Sequence, residues 1–184
     1  MKTDGKLGDV LFTSAQIRSR VQELGARITR DYAGKELTLI GVLKGGAMFA
    51  ADLARAVRLP VSLEWIRLST YADGAVAGEV RRKGVDLDAD LRGRHVLLVE
   101  DLIDSGLTLA WLRDHLAAFG PASIESCVLM RMHKEDQIEN RPVPRYVGFE
   151  VPSATWVAGY GIDYADRHRN LPDIHEYQLP AIAA

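Results

Sequence analysis

The chain has 184 residues, 47% of them hydrophobic, and its 23 basic and 25 acidic side chains leave a formal charge of −2. That length suits one domain over residues 1–184, with enough apolar side chains for a full core, which argues against disorder. A basic excess that would drive nucleic-acid binding is missing, no apolar run approaches the ~20 residues of a membrane span, and the opening MKTDGKLGDV lacks the apolar core of a signal peptide.

In chain order, Thr13 and Gln16 have capping-box spacing, and Ile17, Val21, Leu24 and Ile28 then recur at helical intervals. The pattern predicts a helix over about residues 14–31. Leu37 to Leu43 reads as a buried strand, Met48 to Val57 as a helix, and Val61 to Leu68 as a strand with one charged face. Residues 70–93 break this rhythm, with little apolar periodicity and four glycines. An irregular stretch of that length is either a surface excursion or a functional lid. Val96 to Val99 reads as the central strand. Leu109, Leu112, Leu116 and Phe119 mark the core stripe of a helix that Gly120-Pro121 stops. Ile124 to Met130 is the next strand, and its single thiol, Cys127, reads as buried and reduced. Strands alternating with helices imply a parallel sheet with right-handed crossovers.

The chemistry concentrates in residues 96–112, VLLVEDLIDSGLTLAWL. An apolar strand runs into Glu100 and Asp101, then Asp104, a loop of small and hydroxyl residues, and a helix. In open α/β sheets ligands bind at the carboxyl ends of strands. A small-residue loop at a helix N-terminus presents free N–H groups to a phosphate. Carboxylates for hydroxyls beside a phosphate cradle describe a phosphorylated sugar. Each element also has a plainer reading: solvated acids ending a strand, and Asp104 as a helix N-cap. Lys44-Gly45-Gly46 follows the first buried strand, and its paired glycines let backbone approach a ligand closely. The plainer reading there is an ordinary turn with an exposed lysine. Trp156 by itself reads as core, and DYADRHRN (residues 163–170) as a solvated helix.

Residues 96–112 resemble the phosphoribosyl-pyrophosphate (PRPP) signature of the phosphoribosyltransferases. Residues 41–53, GVLKGGAMFAADL, resemble the pyrophosphate loop of the hypoxanthine-guanine branch, and residues 156–171, WVAGYGIDYADRHRNL, its base-binding segment. The likeness spans roughly residues 10–175, with three motifs in the expected order. It implies a type I phosphoribosyltransferase fold, an α/β domain whose central parallel sheet is flanked by helices and topped by a small hood from the chain's ends. It implies transfer of ribose 5-phosphate from PRPP to a 6-oxopurine, hypoxanthine or guanine, in purine salvage.

By the same resemblance, Glu100 and Asp101 bind the ribose hydroxyls and one Mg²⁺. Asp104 is the general acid/base near purine N7 and, with Ser105, Gly106, Leu107 and Thr108, surrounds the 5′-phosphate. Lys44, Gly45 and Arg169 bind pyrophosphate, the lysine often preceded by a cis peptide. Trp156 stacks on the purine, the Val157 backbone reads its edge, and Asp163 ligates a second Mg²⁺. Residues 70–93 form a mobile lid, with Thr70-Tyr71 at the place of the family's Ser-Tyr pair. A lid suits a reaction centre from which water must be kept. The family usually has lysine where this chain has Arg131, donating to the purine 6-oxo group. Arg131 keeps the donor sense, and Lys134 lies close by. The resemblance further implies a homodimer or homotetramer in the cytoplasm, with no nucleic-acid or membrane partner. The alternatives are a xanthine- or pyrimidine-directed transferase, a PRPP-binding protein that regulates RNA, and a catalytically weak paralogue.

Overall fold

The structure, a computed structural model, describes residues 5–67, 87, 89–133, 143–152 and 155–179. Thr70, Tyr71 and most of the expected lid lie outside the described residues, as does Lys134.

The chain opens with β1 (Lys6–Phe12), then α1 (Ser14–Asp31), β2 (Leu37–Leu43), α2 (Ala47–Ala56) and β3 (Val61–Arg67). After the expected lid come β4 (His95–Ile103), α3 (Leu107–Ala117), β5 (Ser123–His133), β6 (Tyr146–Pro152), the short β7 (Val157–Ala158) and β8 (Ile174–Gln178). At α1 the capping box forms as its spacing predicts. The Thr13 hydroxyl accepts from the Gln16 backbone N–H, and the Gln16 side chain accepts from the Thr13 N–H at 2.8 Å. Ile17, Val21, Leu24 and Ile28 are buried, each at most 2% exposed.

Five strands form one parallel sheet in the order β3-β2-β4-β5-β6. The α1 and α2 side chains pack on one face with Leu39, Leu97 and Val99. On the other face, Leu109, Leu112 and Leu116 of α3 meet Ile40, Val96 and Leu98, and Leu91 packs there too. Cys127 of β5 is fully buried, and burial pushes its thiol pKa up. From β2 the chain winds outward to β3 in one direction and through β4, β5 and β6 in the other. The order therefore reverses between β2 and β4, and a crevice opens at their carboxyl ends.

A second, antiparallel sheet, β1-β8-β7, joins the two ends of the chain. Phe12 of β1 stacks on Phe149 of β6, with ring centroids 4.0 Å apart, which ties it to the main sheet. No helix among the described residues is long and apolar enough to cross a membrane.

Two readings are corrected. The central strand does not stop at Val99 but continues to Ile103, because β5 keeps pairing through Glu100↔Val128 and Leu102↔Met130. The acids are therefore strand residues and do not end the strand. DYADRHRN is not helical: Ala165, Asp166 and His168 have φ of 51°, 63° and 73°, and Tyr164 bridges Arg167 in a tight reversal. Left-handed residues end helical propagation.

Candidate active site

The crevice is built from three segments. The first is the carboxyl end of β4. A cleft of ≈ 280 Å³ is lined by Glu100, Asp104, Ser105, Gly106 and Thr108, with Val42 of β2 opposite. The residue at the N-cap of α3 is Gly106, with φ 78°. Asp104 is exposed and lies two residues before it. The Ser105 hydroxyl accepts from the Leu107 N–H at 3.4 Å, and a helix that starts at a cleft offers its first-turn N–H groups to an anion. Glu100 is 9% exposed. Burial raises its pKa well above the usual carboxylate range, and the neighbouring Asp101 charge raises it further.

The second segment is the turn after β2. The Leu43–Lys44 peptide is cis, settling a point that the sequence leaves open. A Cβ on Gly45 would overlap the Asp101 carboxylate, 2.6 Å from its Cγ. Only a bare backbone lets this turn lie against the acid. Lys44 is an exposed end of the turn, and its Nζ donates to both Asp166 oxygens at 3.1 Å.

The third segment, residues 156–169, folds over the second. Gly161, at φ 96°, packs against the Gly45 carbonyl so closely that a side chain there would clash. Arg169 donates through Nη1 to the Gly161 carbonyl at 2.7 Å and through Nη2 to Asp163 at 2.6 Å. It also reaches Asp166 at 3.2 Å. Asp163 in turn accepts from the Asp166 backbone N–H at 2.6 Å. Lys44 first, then Arg169, hold the Asp166 carboxyl below the usual range. Asp166 is the residue that sequence reasoning missed. The signal was its acid flanked by Arg167 and Arg169, which reads equally as surface charge.

Trp156 is 55% exposed, which overturns the core reading, whereas Val157 is buried in β7. Arg131 pairs with Glu150 on the neighbouring strand, with Nε at 2.9 Å and Nη2 at 2.5 Å. That pairing was not anticipated. Among the described residues no group of three or more acids, histidines or cysteines converges as a ready-made metal cage. A larger cavity, ≈ 390 Å³ between α1, α2 and Tyr160, is lined by none of the site residues expected from the sequence.

A carboxyl whose pKa rises on folding favours the fold below its unfolded pKa and costs stability as pH climbs through the folded value. Glu100→Gln removes that cost. It is expected to raise Tm in divalent-free buffer near pH 8 by about 2–4 °C, the effect of ~1 kcal/mol in a domain of this size. The gain should fade below about pH 4, under the pKa of an unperturbed Glu, where the carboxyl becomes protonated in both states. Melting curves at the two pH values check this, and a lower Tm for the variant at pH 8 contradicts it.

An acid pair beside a helix start, a lysine turn and an arginine-bearing lobe thus meet at a switch point of a parallel sheet. A family model described as the phosphoribosyl transferase domain matches residues 10–165. The chain belongs to that family and has its type I α/β fold.

More particularly, it is 43% identical over 173 residues to the hypoxanthine-guanine phosphoribosyltransferase of Mycobacterium bovis, covering 91% of this chain and 84% of that protein. It is 44% identical over 167 residues to the hypoxanthine phosphoribosyltransferase of Haemophilus influenzae, covering 89% and 91% of the two chains. The crystal structure of a hypoxanthine-guanine phosphoribosyltransferase from Bacillus anthracis matches with a TM-score of 0.84 at 36% identity, covering 95% of this chain and 99% of that one.

Proposed function

We propose that this chain transfers ribose 5-phosphate from PRPP to hypoxanthine or guanine, giving IMP or GMP and pyrophosphate, in purine salvage. The observation that carries the reading is the contact chain across the switch point: Asp101 against Gly45, Gly45 against Gly161, and Lys44 against Asp166. These contacts join the three sequence segments into one crevice. It works as one domain, with the small sheet of the chain ends as its hood.

The division of labour follows from chemistry. Asp101 and Glu100 accept from the ribose hydroxyls. The α3 start and residues 104–108 hold the 5′-phosphate. Lys44 and Arg169 take the pyrophosphate, for which a guanidinium fork and a mobile ammonium are suited. Trp156, being exposed, offers a face for the purine, and Arg131 donates to its 6-oxo group.

Glu100 and Asp101 beside a polyanion would repel it without a divalent cation. Mg²⁺ fits, because it takes one or two carboxylates and completes its shell with phosphate oxygens and water. Asp163 would hold a second ion. Bound Mg²⁺ offsets charge building on the leaving pyrophosphate.

A panel of hypoxanthine, guanine, xanthine, adenine and uracil with PRPP and Mg²⁺ tests the reading. Arg131 offers only donors, which pair with a 6-oxo acceptor and oppose the amino group of adenine. An unpaired buried donor costs about 1–3 kcal/mol, so 6-oxopurines should exceed adenine at least about tenfold. A preference for adenine or uracil would overturn the assignment. Retention of RNA in a filter assay would favour the regulatory alternative.

A further inference from the structure

We propose that Glu150 is a specificity-determining positioning residue, one that fixes the Arg131 guanidinium so that its outer edge, the one away from Glu150, meets the 6-oxo group of the base. The proposal rests on the reading that Arg131 contacts the purine.

Arg131 lies near the carboxyl end of β5, in register with Ile103 on one side and Glu150 on the other. Ile103 immediately precedes Asp104. Glu150 lies two residues before the end of β6, after which the chain leads to Trp156. Arg131 therefore stands on the strand between the acid and the exposed aromatic. Its side chain is 31% exposed and that of Glu150 48%. A cross-strand ion pair this open to water adds little to stability. Its geometry is the informative part. Glu150 takes Nε and Nη2 along one side of the guanidinium. The group is planar with five N–H donors, so Nη1 and the second Nη2 hydrogen lie along the outer edge, away from Glu150. The carboxylate consumes one edge and orients the other.

An arginine left loose would lose rotamer freedom on meeting each base, and the lost freedom would weaken binding. A lysine ammonium is a compact charge with three rotating donors and has no edge to orient. Glu150 should therefore matter when residue 131 is arginine and matter little when it is lysine.

The test is a double-mutant cycle on the full-length protein, reading KM for hypoxanthine, KM for PRPP, the hypoxanthine/adenine ratio of kcat/KM, and Tm. Glu150→Ala should raise KM for hypoxanthine about tenfold, the scale of one hydrogen bond to a charged group. It should narrow the base ratio and leave KM for PRPP within about twofold, as expected for loss of base orientation alone. Glu150→Gln, which still accepts one bond, should fall between. In an Arg131→Lys background Glu150→Ala should leave base kinetics nearly unchanged. Equal losses for both substrates in both backgrounds, tracking a lower Tm, would make Glu150 structural and overturn the proposal. So would unchanged base kinetics for Glu150→Ala while Arg131→Ala abolishes them. If Arg131→Ala itself leaves hypoxanthine kinetics intact, the base-contact reading fails and the proposal fails with it.

Discussion

Asp104→Asn is expected to lower kcat by about 10²–10⁴, the usual contribution of a positioned general acid–base, while the Kd for PRPP stays within about threefold, since the N–H groups and hydroxyls of residues 105–108 and the ribose acids are unaltered. Bond formation at N9 releases a proton from the purine, and a carboxylate at its imidazole edge can accept it. Asparagine keeps the shape and cannot. Asp104 follows the last residue of β4 and lines the cleft two residues before the α3 N-cap, Gly106. Single-turnover rates alongside equilibrium PRPP binding separate the two effects. A variant turning over within about threefold of wild type would reduce Asp104 to a structural acid, because general acid–base groups contribute far more.

Gly45→Ala should disable the enzyme by a different route. The new methyl meets the Asp101 carboxylate, the far end of a side chain, and not backbone. The acid can swing away, so the fold survives and the site does not. Each charge-assisted bond lost to a ribose hydroxyl is worth about 1.5–3 kcal/mol, so KM for PRPP should rise by about 10- to 100-fold. Tm should move by no more than about 3 °C, a shift of ~1 kcal/mol at this size. A variant that melts far below wild type, or one with normal KM for PRPP, would show that the turn does not act through Asp101.

The parts of this fold that the sequence announces are those whose signals are local. Thr13 and Gln16 meet within one turn, and the apolar runs of β2, β4 and β5 are buried on both faces, so each reads without its partners. The strands of the small sheet, β1, β7 and β8, are short, half-exposed and paired across more than 160 residues in the case of Val10↔His175. Nothing local marks them, and only the family resemblance supplied the hood. Glu100 and Asp101 look like the end of a strand because charged residues rarely continue a buried one. Ladder pairing to β5 overrode that preference. The acid pair, the phosphate loop and the lysine turn are legible because they are contiguous. The Arg131–Glu150 and Lys44–Asp166 pairs join positions 19 and 122 residues apart. Each member looks like an ordinary surface charge until the backbone brings the two together.

The sealed thiol of Cys127 gives the molecule a built-in clock for its own opening. As the chain's only cysteine, on a strand flanked by β4 and β6 under the α1–α2 layer, it meets an alkylating reagent only when the middle of the sheet parts. Labelling under native conditions therefore counts global excursions and ignores fraying at the edges. A ligand that binds only the closed form slows those excursions by the factor 1 + [L]/Kd. PRPP, pyrophosphate or a purine can thus be ranked by protection of one buried sulfur, in variants that no longer turn over.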